Sequence, residues 1–66
     1  MIIKGQNGKY YDVYSLEFKM NKIKCRDNSD RRKKIVLGKY ESVERTGEVY
    51  REIMNCVDGY YEMPER

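Results

Sequence analysis

Nine of the chain's fourteen basic residues fall between Lys19 and Lys39, where only Asp27 and Asp30 oppose them. Lys22, Lys24 and Arg26 alternate with Ile23 and Cys25, so an extended chain projects all three cations from one side. Arg31, Arg32 and Lys34 follow after a short polar gap. Such a concentration attracts polyanions: nucleic acid, nucleotides, phosphates or an acidic protein surface. It equally suits a solvated face that guards exposed strand edges, where lysine is common. The seven tyrosines are a second resource. Tyr10-Tyr11 and Tyr60-Tyr61 are adjacent pairs, so in a strand one member of each points away from the core. An outward tyrosine serves an interface, stacks on a base, or lies along a sheet edge with its hydroxyl in water.

Catalysis is hard to assemble from the same inventory. With no histidine there is no ready proton shuttle near neutral pH and no Ser-His or Cys-His pair. Gly5-Gln6-Asn7-Gly8 reads as a turn, since a phosphate-binding loop of the G-x-x-x-x-G-K-[ST] type is missing. Glu44, Glu48 and Glu52 lie one helical turn apart with Arg45 and Arg51 nearby, the pattern of a solvated face. Cys25 and Cys56 are 31 positions apart and neither belongs to a C-x-x-C pair. They read as reduced, mostly buried thiols, and a tetrahedral zinc site lacks ligands. The expectation is a non-enzymatic protein with no catalytic residues, no metal and no cofactor.

The elements that must position these groups follow from apolar periodicity. Met1–Lys4 is a short apolar segment that stops at the turn, and Lys9–Tyr14 suits a strand. Leu16, Phe18 and Met20 then alternate with Glu17 and Lys19, and Asn21-Lys22 is a candidate two-residue hairpin turn. Ile23 and Cys25 continue the apolar face to a loop at Asp27–Asp30, and Lys33–Leu37 returns as a strand ending near Gly38. Beyond it the period changes. Ser42 is a good N-cap, with Glu41 and Glu44 where a helix start favours negative charge. Val43, Thr46, Val49, Tyr50, Ile53, Met54 and Val57 form an amphipathic stripe, and Asp58-Gly59 closes it. Gly47 inside that helix suggests close packing on the sheet.

The predicted fold is therefore α+β: residues 1–66 as a single domain, a small antiparallel meander of about four strands. One C-terminal amphipathic helix packs on it, followed by a short extended tail, Tyr60–Arg66. A chain this size has a thin stability margin, which makes a homo-oligomer the expected support for its core. Net charge is near zero over residues 1–18, +7 over 19–39 and −4 over 40–66. No apolar run approaches the roughly 20 residues that span a bilayer, and the first residues are too short for the apolar core of a secretory signal. Both readings place the protein in the cytoplasm, with no membrane partner.

From Ile35 the chain reads I-V-L-G-K-Y-E-S-V-E-R-T-G-E-V, and near the end Y-Y-E-M-P-E. This resembles a group of short, mostly uncharacterised proteins of phages and prophages of Gram-positive bacteria. Their pattern is a few strands, then L-G-x-Y-x-S-x-E-R-A-x-E-V, then Y-x-M-P-E. Here Thr46-Gly47 replaces the small helical pair. The resemblance covers about the last half of the chain and implies a setting, the phage-infected host cell, more than an activity. Small proteins of this kind commonly inhibit host defences, some as oligomers that sequester nucleotide immune signals. On that basis the expected ligand is an anionic, nucleotide-like small molecule. Its expected contacts are Lys22, Lys24, Arg26, Arg31, Arg32 and Lys34, with Tyr10, Tyr11, Tyr60 or Tyr61 stacking or closing an interface. Direct inhibition of a host defence protein and nucleic-acid binding are the alternatives.

Overall fold

The computed structural model describes all 66 residues, Met1–Arg66. Its elements run β1 (Ile2–Lys4), β2 (Tyr10–Lys19), β3 (Lys22–Asp27), β4 (Asp30–Lys39), α1 (Val43–Met54) and β5 (Tyr60–Glu62). They form one sheet in the order β4-β3-β2-β1-β5, with α1 packed on one face against β2 and β3. The α+β class stands. The sheet, however, has five strands instead of about four, and it is mixed: β1, β2, β3 and β4 pair antiparallel, whereas β5 runs parallel to β1. The expected extended tail is that fifth strand. Helix α1 carries the chain across the sheet from the β4 edge to the far edge, and a parallel neighbour requires such a crossover. Ladder bonds close it there, from the Ile2 N–H to the Gly59 carbonyl at 2.8 Å and from the Met63 N–H to the Lys4 carbonyl at 2.9 Å.

The turn between β2 and β3 is Met20-Asn21, one residue earlier than expected, because Lys19 pairs with Lys22. Met20 takes φ 54° and is 72% exposed, so it leaves the apolar face to Leu16 and Phe18. Asn21 works as a tie. Its Nδ2 donates to the Tyr40 carbonyl at 3.0 Å, and its own carbonyl accepts the Tyr40 N–H at 2.9 Å. Strand β4 starts at Asp30, three residues before the expected Lys33, because Asp30 closes the hairpin opposite Asp27.

Ser42 caps α1 as its type predicts: its backbone is extended and its Oγ accepts the Arg45 N–H at 3.0 Å. The helix ends at Met54, short of Asp58-Gly59, with Asn55 as the C-cap. Gly59 takes φ 77° in the turn into β5, not at a helix terminus. Val57 therefore lies outside the helix, 93% exposed, and Val43 and Met54 are more than half exposed. The buried stripe is Thr46, Gly47, Val49 and Ile53. Val49 and Ile53 join Ile3, Ile23, Cys25, Leu37, Tyr40 and Met63 in the core, each large apolar side chain contributing about 1.5–3 kcal/mol by its burial.

Two glycines in this core behave oppositely. At Gly47, a Cβ would meet Phe18 ring carbons at 3.6 Å, an ordinary contact. At Gly38, it would meet the Met63 Cε at 2.9 Å and the Tyr40 ring and hydroxyl at 3.0 Å. The Met63 methyl can swing aside, but the Tyr40 hydroxyl is held by its bond to the Pro64 carbonyl at 2.8 Å. Gly47→Ala should therefore stabilise the protein by up to about 1 kcal/mol through helix propensity. Gly38→Ala should destabilise it by about 1–3 kcal/mol through overpacking. Thermal unfolding of the two variants beside the parent checks the pair; equal shifts in the same direction would contradict this account of the packing.

Candidate functional site

One helix covers one face of the sheet, and the opposite face stays open. The pleat decides what that face carries. Ile23 and Cys25 point into the core, so Lys22, Lys24 and Arg26 point out. Strand register then adds neighbours from both sides. Lys22 lies between Lys19 and Lys39, Lys24 between Glu17 and Val36, and Arg26 between Ser15 and Lys34. These three rungs put six cations and one carboxylate within about 14 Å along the strands and about 10 Å across them. Lys22, Lys24 and Arg26 are half-buried. A shallow cleft of about 220 Å³ opens at the hairpin end, lined by Lys19, Met20, Asn21, Lys22 and Lys24.

Like charges directly opposite on one face destabilise a sheet. The rung Lys19–Lys22–Lys39 and the pair Arg26–Lys34 break that rule with little compensation. The compensation present is Glu17, whose carboxylate lies 3.2 Å from the Lys34 Nζ. The hydrogen bond and charge of Lys34 hold Glu17 below the usual carboxylate range, with Lys24 and Lys19 adding to the effect.

The remaining expected contacts separate. Arg31 is pinned away from the grid: its guanidinium lies 4.1 Å from the Tyr14 ring centroid and donates to the Asn28 Oδ1 at 3.0 and 3.3 Å. Arg32 is almost fully exposed on the β4 edge, 3.8 Å from the Asp30 carboxylate. Tyr11 and Tyr61 pair with Ile3 and face the helix side, where the Tyr61 hydroxyl donates to Glu52 at 2.6 Å. Tyr10 and Tyr60 are on the open face, stacked with centroids 6.4 Å apart. Lys4 lies beside them, 5.7 Å from the Tyr10 centroid and 3.5 Å from Glu62. Tyr10 and Glu62 together raise the Lys4 pKa, so it remains charged. Lys19, Lys39 and Tyr14 were not among the expected contacts. Hairpin register points to the two lysines, but Tyr14 reaches its position through a β-bulge between Val13 and Ser15 that alternation alone does not reveal.

A second cleft, about 360 Å³, is lined by Lys39, Tyr40, Glu41, Arg45, Glu65 and Arg66. Its Arg45 is already engaged. Arg45 donates to the Arg66 oxygen at 2.7 and 3.1 Å and to Glu48 at 3.2 Å. Gln6 closes the same corner, accepting the Lys39 N–H at 2.8 Å and donating to the Pro64 carbonyl at 3.0 Å. The two stretches L-G-x-Y-x-S and Y-x-M-P-E thus meet here, Tyr40 on Pro64 and Gly38 on Met63, as a structural clasp. Compared with protein-family models, curated proteins and solved structures, the chain matches none.

The cysteines are both free. Burial, with Asp27 adding, pushes the Cys25 thiol up to about 11, whereas Cys56 is partly exposed and its Sγ donates to the Tyr60 carbonyl. At pH 8 an aromatic disulfide reagent should titrate Cys56 readily and Cys25 only on unfolding. Because the folded state keeps the Cys25 proton longer than the unfolded chain, stability should fall as pH rises from about 8.5 to about 11. Cys25→Ser should flatten that slope, and an unchanged slope would place its origin elsewhere.

Proposed function

We propose that this protein is a non-enzymatic binding protein that holds a phosphate-bearing ligand of the nucleotide class on the open face of its sheet. The observation that carries this reading is the grid of Lys19, Lys22, Lys24, Arg26, Lys34 and Lys39, in which like charges sit opposite one another with Glu17 as the one acid among them. A surface needing only solubility does better with mixed signs. A bound polyanion turns the mutual repulsion of these cations into a shared attraction, and charge-assisted hydrogen bonds to phosphate are among the stronger polar contacts. Two helix acids are engaged elsewhere, Glu48 by Arg45 and Glu52 by Tyr61.

The resemblance to short phage and prophage proteins supplies the setting. In that setting the chain is an accessory protein working in the host cytoplasm, where capture of a nucleotide signal counters a defence response. No helix is long and apolar enough to cross a membrane, which is compatible with that location.

The test is the binding of fluorescein-labelled inorganic polyphosphate, followed by anisotropy at low salt. Lys24→Ala with Arg26→Ala should weaken binding by more than about tenfold, because two charge-assisted contacts are lost while the core is untouched. Glu17→Gln should tighten it by about two- to fivefold, as expected from removing one exposed ion pair's competition. Unchanged affinity in both variants would reject the face as the site.

A further inference from the structure

The aromatic pair and the hairpin lysines of the open face are too far apart for one nucleotide to reach both. Tyr10 and Arg26's cross-strand neighbour Ser15 are five residues apart on β2, about 16 Å. Strand β2 continues to Lys19, so aromatic pair and hairpin lysines stand at opposite ends of a run of about 30 Å. Between them lies the Tyr14–Arg31 stack, a half-exposed ring carrying a guanidinium. The series along the strand is Tyr10 with Tyr60, flanked by Asp12 and Glu62, then Tyr14 with Arg31, Arg26 with Lys34, Lys24 with Glu17, and Lys22 with Lys19 and Lys39. Rings come first and cations follow, along one strand direction.

We infer that the ligand of this face is a single-stranded nucleic acid of several nucleotides, laid along β2, an inference that rests on the anion-binding reading above. Exposed rings offer platforms on which unpaired bases stack, and a positive groove follows the backbone. Phosphates lie on the cation rungs, while bases stack on Tyr10, Tyr60 and the exposed face of Tyr14. Duplex is disfavoured because its bases are already stacked on one another and are not free to stack on these rings. No side chain on the track supplies an obvious base-edge code, so recognition is tolerant of sequence.

The experiment measures anisotropy of 3′-fluorescein-labelled twelve-nucleotide oligothymidylate and oligouridylate with the full chain, with a duplex of equal length and labelled heparin as controls. The expected results are single strands bound more tightly than duplex, and log affinity falling against log salt with a slope of roughly −3 to −4 if four to six cations are used. Tyr10→Ala with Tyr60→Ala should lose at least fivefold in single-strand affinity, with heparin affinity unchanged. Tyr10→Phe with Tyr60→Phe should keep it, since the ring, not the hydroxyl, does the stacking. Three outcomes would overturn the inference: the Ala variant binding single strands like the parent, duplex binding as tightly, or sedimentation showing that the Ala change dissolves a dimer. Binding of heparin without binding of either oligonucleotide would sink this inference and leave the anion-binding face standing. Binding of neither would sink both.

Discussion

A single twelve-residue helix can bury only one face of a five-stranded sheet, and the rest of the molecule follows from that constraint. A buried core can form only on the helix side, so Ile3, Ile23, Cys25, Leu37, Val49 and Ile53 converge there. Because neighbouring side chains on a strand point to opposite faces, each inward residue of β3 sends a cation outward. The cation grid is thus the other half of the core's own pattern. Any one-residue slip of β3 would bury three cations and expose two core residues, so the register that protects the core also locks the grid.

The second dependence is on closure at the sheet's far edge. Strand β5 is only three residues long and would add little alone. It is held because Tyr40 reaches Pro64, Gln6 bridges Lys39 and Pro64, and Met63 fills the space that Gly38 leaves. This corner joins the turn after β1, the end of β4, the loop that follows it and the tail. The stretches L-G-x-Y-x-S and Y-x-M-P-E are the parts that meet in it. The proposed ligand face lies on the other side of the sheet, and Lys39 and Tyr60 from these same parts of the chain reach it.

Much of this was legible in the residues themselves. The α+β class, Ser42 as N-cap, Gly47 against the sheet and the outward direction of Lys22, Lys24 and Arg26 all rest on local rules, capping and two-residue or 3.6-residue periods. The errors share a different origin. Alternation alone puts Met20 on the apolar face, but the chain turns there, and Asn21 is secured by Tyr40, nineteen residues away. Val57 fitted the helical stripe, yet the chain leaves the helix after Met54 to reach β5. Among the candidate contacts, Arg31 looked equivalent to Arg26, but the Tyr14 bulge captures its guanidinium.

By itself, then, the sequence determined the elements, their wet and dry sides and the placing of seven net positive charges on one hairpin, because these depend on neighbours within a few residues. Only the tertiary structure decided that residues 60–62 of the tail become a parallel fifth strand and that Tyr10 and Tyr60 stack while Tyr11 and Tyr61 turn inward. Those outcomes are set by pairing between strands distant in the chain. Such pairing is governed by which long-range contacts satisfy the backbone and fill the core together, a condition no local window contains.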